Sequence, residues 1–108
     1  MRLSRLFIAF SFFGFALAAD AEDYVVSFKD GVLAPSQVQV KAGQEFTLTV
    51  QNDGWTTEEF ESRDLNIEKM IPPSKKKTFK VGPLKAGTYT FYGDFHENTT
   101  HGTMVATP

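Results

Sequence analysis

The chain contains no cysteine. That excludes disulfide bonds, thiol catalysis and every thiolate-ligated metal site, so a domain of this size must hold together through its core. A basic stripe is also missing. Eleven Lys and Arg stand against thirteen Asp and Glu, a net charge of −2, which makes nucleic acid and anionic lipid poor partners. The most apolar stretch, Leu6 to Leu17, covers about 12 residues, short of the ~20 that a membrane-spanning helix needs. No internal repeat or low-complexity segment occurs, and 108 residues allow one domain.

What is present falls into two parts. Met1-Arg2-Leu3-Ser4-Arg5 is basic, Leu6 to Leu17 is apolar and rich in Phe, and Ala16-Leu17-Ala18 is a small-x-small site. That order predicts a cleavable secretory signal peptide over residues 1–18, with Ala19 and Ala21 as alternative cleavage positions; an uncleaved anchor is the weaker reading. Residues 19–108 then form the exported domain, with no membrane insertion after cleavage. Losing Arg2 and Arg5 leaves nine basic residues against thirteen acidic ones, a net charge of −4. A 90-residue domain of this kind buries about 60–65% of its unfolded surface, enough where packing is efficient.

The domain reads as short strands with turn residues between them. Tyr24 to Phe28 is β-branched and aromatic, followed by turns at Asp30-Gly31 and Pro35-Ser36. Gln37 to Lys41 alternates with Val38 and Val40 on one face, and Glu45 to Gln51 alternates with Phe46, Leu48 and Val50 facing in. Joined by Lys41-Ala42-Gly43-Gln44, these two are expected to form an antiparallel hairpin. Asn52-Asp53-Gly54 is the strongest turn signal. Short strands follow at Glu58 to Glu61, Leu65 to Ile71, Thr78 to Val81, Thr88 to Tyr92 and Thr103 to Thr107. Lys75-Lys76-Lys77 reads either as the guard of an exposed sheet edge or as a solvated loop. Met104 is expected in the core, and Met70 is assigned there as well. Trp55 sits in a loop, where it either caps one end or presents a contact surface. Seven or eight strands at 8–12-residue spacing predict an all-β antiparallel Greek-key sandwich.

Three pieces in order carry a resemblance. They are Gln51-Asn52-Asp53-Gly54 leading into Glu59-Phe60-Glu61, the run from Gly82 to Tyr92, and Phe95-His96 followed by Gly102-Thr103-Met104-Val105. Together they resemble the cupredoxin superfamily, more narrowly the EfeO-type cupredoxin-like domains of bacterial periplasmic proteins, over nearly the whole exported domain. Blue-copper cupredoxins hold their metal with two His, one Cys and a weak axial Met. Here Gly93 stands at the Cys position, Glu58 or Glu59 at the upstream His position, and His96 matches the downstream His. With no thiolate, a type 1 copper centre is excluded.

Other ligand chemistry stays open. Glu59 and Glu61 lie two apart on a strand, so their side chains leave the same face, roughly 6.5–7 Å apart along it. Acids so close raise each other's pKa unless a cation lies between them. A solvated strand face explains an isolated Glu-x-Glu equally well, but the resemblance implicates the carboxylates of this Glu-Phe-Glu element in metal binding. The loop from Asp94 to His101 adds His96, His101, Asp94 and Glu97, a nitrogen–oxygen donor set for Cu(II), Fe or Zn rather than Cu(I). Lone surface His residues are the alternative. Binding requires neutral imidazole and so should weaken on acidification.

Two functions follow from the sequence and the resemblance. One is a periplasmic metal-binding protein, for copper and/or iron, accessory to a ferrous-iron uptake system whose partner would be a membrane iron permease or a periplasmic iron-binding protein. Catalysis is not required by this reading, although copper-dependent oxidation of Fe(II) is compatible with it. The other is a structural or protein-interaction module on a cupredoxin fold without metal, since a fold does not fix a function. A hydrolase has no support, because no Ser or Thr has a base and an orienting group at recognisable positions.

Overall fold

Alternation of apolar and polar residues becomes strands wherever it persists for more than two or three residues, because period-two patterning suits a surface buried on one side. The computed structural model describes residues 22–108, and over them nine strands form. The signal peptide expected at 1–18 lies outside the described residues. In chain order the strands are β1 (Asp23–Lys29), β2 (Val32–Ala34), β3 (Gln37–Lys41), β4 (Phe46–Asn52), β5 (Glu58–Ser62), β6 (Ile67–Ile71), β7 (Lys76–Val81), β8 (Gly87–Gly93) and β9 (His101–Thr107). A 3₁₀ turn, Asp94–His96, follows β8. Among the described residues no helix is long and apolar enough to cross a membrane.

The strands build two sheets, ordered β2-β1-β4-β7 and β3-β9-β8-β5-β6. The expected β3–β4 hairpin does not form. β3 pairs parallel with β9, and β4 pairs parallel with β1 and antiparallel with β7. The reason lies in the two apolar faces. Val38 and Val40 on β3, and Phe46, Leu48 and Val50 on β4, all enter one core, and placing the strands in opposite sheets lets each face cover that core from its own side. The link between them is pinned to both neighbours: Ala42 N–H donates to the Thr107 carbonyl at 2.8 Å and Gly43 N–H to the Leu84 carbonyl at 2.7 Å. Gly43 adopts φ +79°, a value glycine reaches without strain. The sandwich is therefore not purely antiparallel, and β2, only three residues long, is the strand that patterning could not reveal.

Phe60 of β5 is the hub of the interior. Its ring centroid lies 5.5 Å from Phe91, 6.3 Å from Phe79 and 6.5 Å from Phe28, joining both sheets through offset and edge contacts. Truncating such a ring to alanine costs about 3–5 kcal/mol. Met104 is fully buried, as expected, but Met70 is 55% exposed. Met70 belongs to β6, an edge strand whose one buried residue is Ile71, and it points outward opposite Glu59. β6 starts at Ile67 rather than Leu65, because Arg63 to Asn66 form a turn in which Asn66 adopts φ +58° and Ser62 Oγ accepts the Leu65 N–H. At the other sheet's edge β7 carries Lys76, Lys77 and Lys80, so the lysine run does line an open edge.

Three connections meet at one end of the sandwich: the Asp30–Gly31 turn, residues 53–57 and residues 94–100. Asp53 N–H donates to the Phe28 carbonyl at 2.8 Å, Gly54 packs against Asp30, and Gly31 against Thr99. Asn52, 1% exposed, fixes this end from within. Its amide donates to the Thr56 and Ile71 carbonyls (2.7 and 2.9 Å), and its oxygen accepts the Gly54 N–H (2.9 Å).

Candidate metal centre

β5 brings two different carboxylate environments to this end. Phe60 must face the core, so Glu58 and Ser62, which share its parity, face inward, whereas Glu59 and Glu61 face outward. Inside, Glu58 has only 5% of its side chain exposed. Burying a carboxylate is unfavourable without a polar partner, and His96 supplies it: Nδ1 lies 3.1 Å from Glu58 Oε1. The imidazole is 44% exposed and borders an open cavity lined by Phe95, Glu97, Asn98 and Thr99.

Outside, Glu59, Glu61 and Asp94 each present a carboxylate oxygen within 4.8 Å of the others. The Phe60–Gly93 pairing of β5 with β8 places Asp94 next to Glu59. Glu68 on β6 stands opposite Glu61. Partial removal from water, together with the carboxyls of Glu68 and Asp94 beside it, pushes the Glu59 carboxyl above the usual range. Tyr92 continues the same row across the sheet, paired with Glu61 on one side and His101 on the other. Its phenol is also raised, first by partial burial and then by the charge of Glu61, with Arg63 opposing.

The six candidate ligands therefore separate. Glu59, Glu61 and Asp94 come together. His96 is not part of that trio and meets Glu58 instead. His101 lies against Tyr92, ring centroids 6.1 Å apart, and Glu97 is an exposed residue of the cavity rim. Trp55 caps nothing, being 88% exposed. Glu58 is the residue that spacing alone did not single out, although its parity with Phe60 marks it as inward.

The donor chemistry fits a borderline divalent ion at two places. An imidazole nitrogen and a carboxylate oxygen 3.1 Å apart lie within the span of one ion with bonds of about 2.0–2.2 Å. The outer trio offers oxygen only, and its crowded like charges are the kind that a cation relieves. A sulfur ligand at Gly93 does not fit. A Cβ there would lie 2.6 Å from Phe28 Cε1 and 2.8 Å from Thr100 Oγ1, so both side chains already fill that space.

A nine-stranded, two-sheet sandwich with a His-bearing loop after its eighth strand has the cupredoxin-like architecture. Residues 3–106 match the model of the cupredoxin-like domain, and the chain belongs to that family. An uncharacterized protein of Rickettsia prowazekii (strain Madrid E) is 36% identical over 80 residues, an alignment spanning 74% of this chain and 64% of that relative's length. Among solved structures, dithionite-reduced auracyanin from Roseiflexus castenholzii superposes with a TM-score of 0.67 at 16% identity, covering 80% of this chain and 97% of that one. A copper binding protein solved in its apo form superposes with a TM-score of 0.70 at 15% identity, covering 82% and 91%. At these identities the structural likeness speaks for the fold.

Proposed function

We propose that this chain is an exported, periplasmic protein that binds copper through imidazole and carboxylate, without sulfur, at the loop end of its sandwich. The observation that carries this reading is the Glu58–His96 pair, a buried carboxylate held 3.1 Å from a half-exposed imidazole nitrogen. Copper is favoured by the nitrogen–oxygen donor set and by the copper binding protein among the structural neighbours. The resemblance to EfeO-type domains extends the proposal to a role beside ferrous-iron uptake, with a membrane iron permease or a periplasmic iron-binding protein as partner, and with iron as the metal being handled. Copper bound here would supply a one-electron centre compatible with Fe(II) oxidation. The protein's own part is to hold His96 and Glu58 together, while Glu59, Glu61 and Asp94 keep a negative surface nearby.

Calorimetry of the metal-stripped mature chain tests the reading. Cu(II) should bind and raise the melting temperature, by the equivalent of about 2.7 kcal/mol at 100 times the dissociation constant. Glu58→Gln combined with His96→Ala should abolish the shift, and an unchanged affinity in that double variant would refute the site. A metal-free interaction module is the second reading. The filling of the Gly93 space by Phe28 and Thr100 leaves no room for a sulfur ligand, and absence of binding by any first-row divalent metal would leave this reading in place of the first.

A further inference from the structure

We propose that Thr100 is the positioning residue of the Glu58–His96 site, holding the imidazole against the carboxylate before any ion arrives. This rests on the reading of that pair as a copper site, and the argument begins with the loop. The 3₁₀ turn carrying His96 is three residues long, begins at Gly93 without a side-chain cap and buries none of its residues, so it has little to fix its own orientation. Thr99 N–H and Oγ1 donate to the His96 carbonyl at 3.1 and 3.4 Å from the exposed side, and the buried anchorage comes from Thr100, which is completely buried. The Thr100 hydroxyl lies 2.6 Å from the His96 carbonyl and 3.0 Å from the Gly93 carbonyl, donates its one proton to the nearer His96 oxygen, and accepts the Gly93 N–H at 3.1 Å. The Thr100 backbone adds two bonds: its N–H donates to the same His96 carbonyl at 3.0 Å, and its carbonyl accepts the Gly93 N–H at 2.9 Å. One residue thus ties the end of β8 to the backbone of His96.

Packing makes the same point. Thr100 Oγ1 and the Phe28 ring occupy the volume into which a side chain at position 93 would project. Gly93 leaves room for the hydroxyl, and the hydroxyl sets the path of residues 94–96. A polar group this buried and this fully bonded has a narrow range of replacements. Serine keeps the hydroxyl, whereas valine keeps the shape and loses both the donor to His96 and the acceptor for Gly93.

The experiment compares Thr100→Val and Thr100→Ser in the full mature domain, with melting temperature recorded for each. In the metal-free protein, NMR should show the His96 ring-proton shifts of Thr100→Val moving towards those of a Glu58→Gln variant, while Thr100→Ser retains the wild-type shifts. With Cu(II), Thr100→Val should bind about 10-fold or more weakly, the usual loss when an outer partner of a ligand is removed, and Thr100→Ser should bind like wild type. Unchanged ring shifts and unchanged Cu(II) affinity in a folded Thr100→Val protein, even with a lower melting temperature, would overturn the proposal and leave Thr100 a structural tie. Should the wild-type chain bind no Cu(II), the copper reading fails, and the metal-free ring shifts still decide whether Thr100 positions His96.

Discussion

Glu58 and Glu59 are neighbours in the chain and face opposite ways from β5, so they make a controlled comparison of one functional group in two environments. Glu58 lies inside, 4% exposed, with an imidazole for its partner. Glu59 lies outside among like charges, and its carboxyl is raised by partial desolvation and by Glu68 and Asp94. The inner group has a defined geometry and one partner. The outer group has several acidic neighbours, Glu61, Glu68 and Asp94. The difference teaches that acidity alone does not define a site here: packing defines the inner one, and charge density defines the outer one.

The strongest way to break the comparison is to disturb the packing. Gly93→Cys puts a thiol at the position to which the resemblance assigns the blue-copper Cys, yet its Cβ would press on Phe28 and Thr100 at 2.6 and 2.8 Å. We expect a loss of about 1–3 kcal/mol in urea denaturation, and no intense blue absorption on adding Cu(II). An intense blue band in a protein of wild-type stability would show that the interior yields more readily than its contacts indicate.

Affinity separates the two carboxylates next. Glu58→Gln should weaken Cu(II) binding by about 10-fold or more, measured by competition with a chelator, whereas Glu59→Gln should change it less. The reverse order would move the site to the outer face. Stability against pH gives a further contrast. Because the folded-state pKa of Glu59 is raised above the ordinary glutamate value of 4.5, its contribution is fully present below that pH and is lost as pH rises through the folded value. Metal-free Glu59→Gln should therefore gain melting temperature relative to wild type as pH rises from 4 to 7. A divalent cation bound to the outer trio would shrink or reverse that gain.

Much of this was legible in the sequence, and the rest was hidden for definite reasons. Alternation in β3, β4, β8 and β9 revealed which residues face inward, and it placed Met104 in the core. It could not show which sheet a strand joins, since Val38-x-Val40 and Phe46-x-Leu48-x-Val50 read the same in a hairpin as in a sheet crossing. Met70 was misplaced because β6 is an edge strand, where apolar side chains need not be covered. The pairing of Glu59 and Glu61 on one face followed from spacing two. Their meeting with Asp94 depends on the register of β5 against β8, a contact between residues more than thirty positions apart. Glu58 was readable from its parity with Phe60, but its contact with His96 was not, because the path of residues 94–100 is set by the buried Thr100 hydroxyl.

The smallest expected effect comes from a third carboxylate at the same end, Asp53, whose pKa moves the opposite way to that of Glu59. It accepts hydrogen bonds from Ser27 Oγ at 2.5 Å and Gln51 Nε2 at 2.9 Å. These bonds, with Lys29 nearby, hold its carboxyl below the usual range. A depressed folded-state pKa contributes stability above the unfolded value, close to 3.8, and loses it as pH falls through the folded value. Asp53→Asn should consequently melt slightly below wild type at pH 7, and the gap should begin to narrow below about pH 3.8, where the unfolded chain takes up the proton, and close once pH falls past the lower folded-state value. The group is exposed, so the difference should also diminish in high salt to the extent that Lys29 contributes to it. A gap that persisted unchanged at pH 3 would assign the effect to the hydrogen-bonded shape of the turn rather than to its charge. The two acids would then differ in geometry as well as in sign.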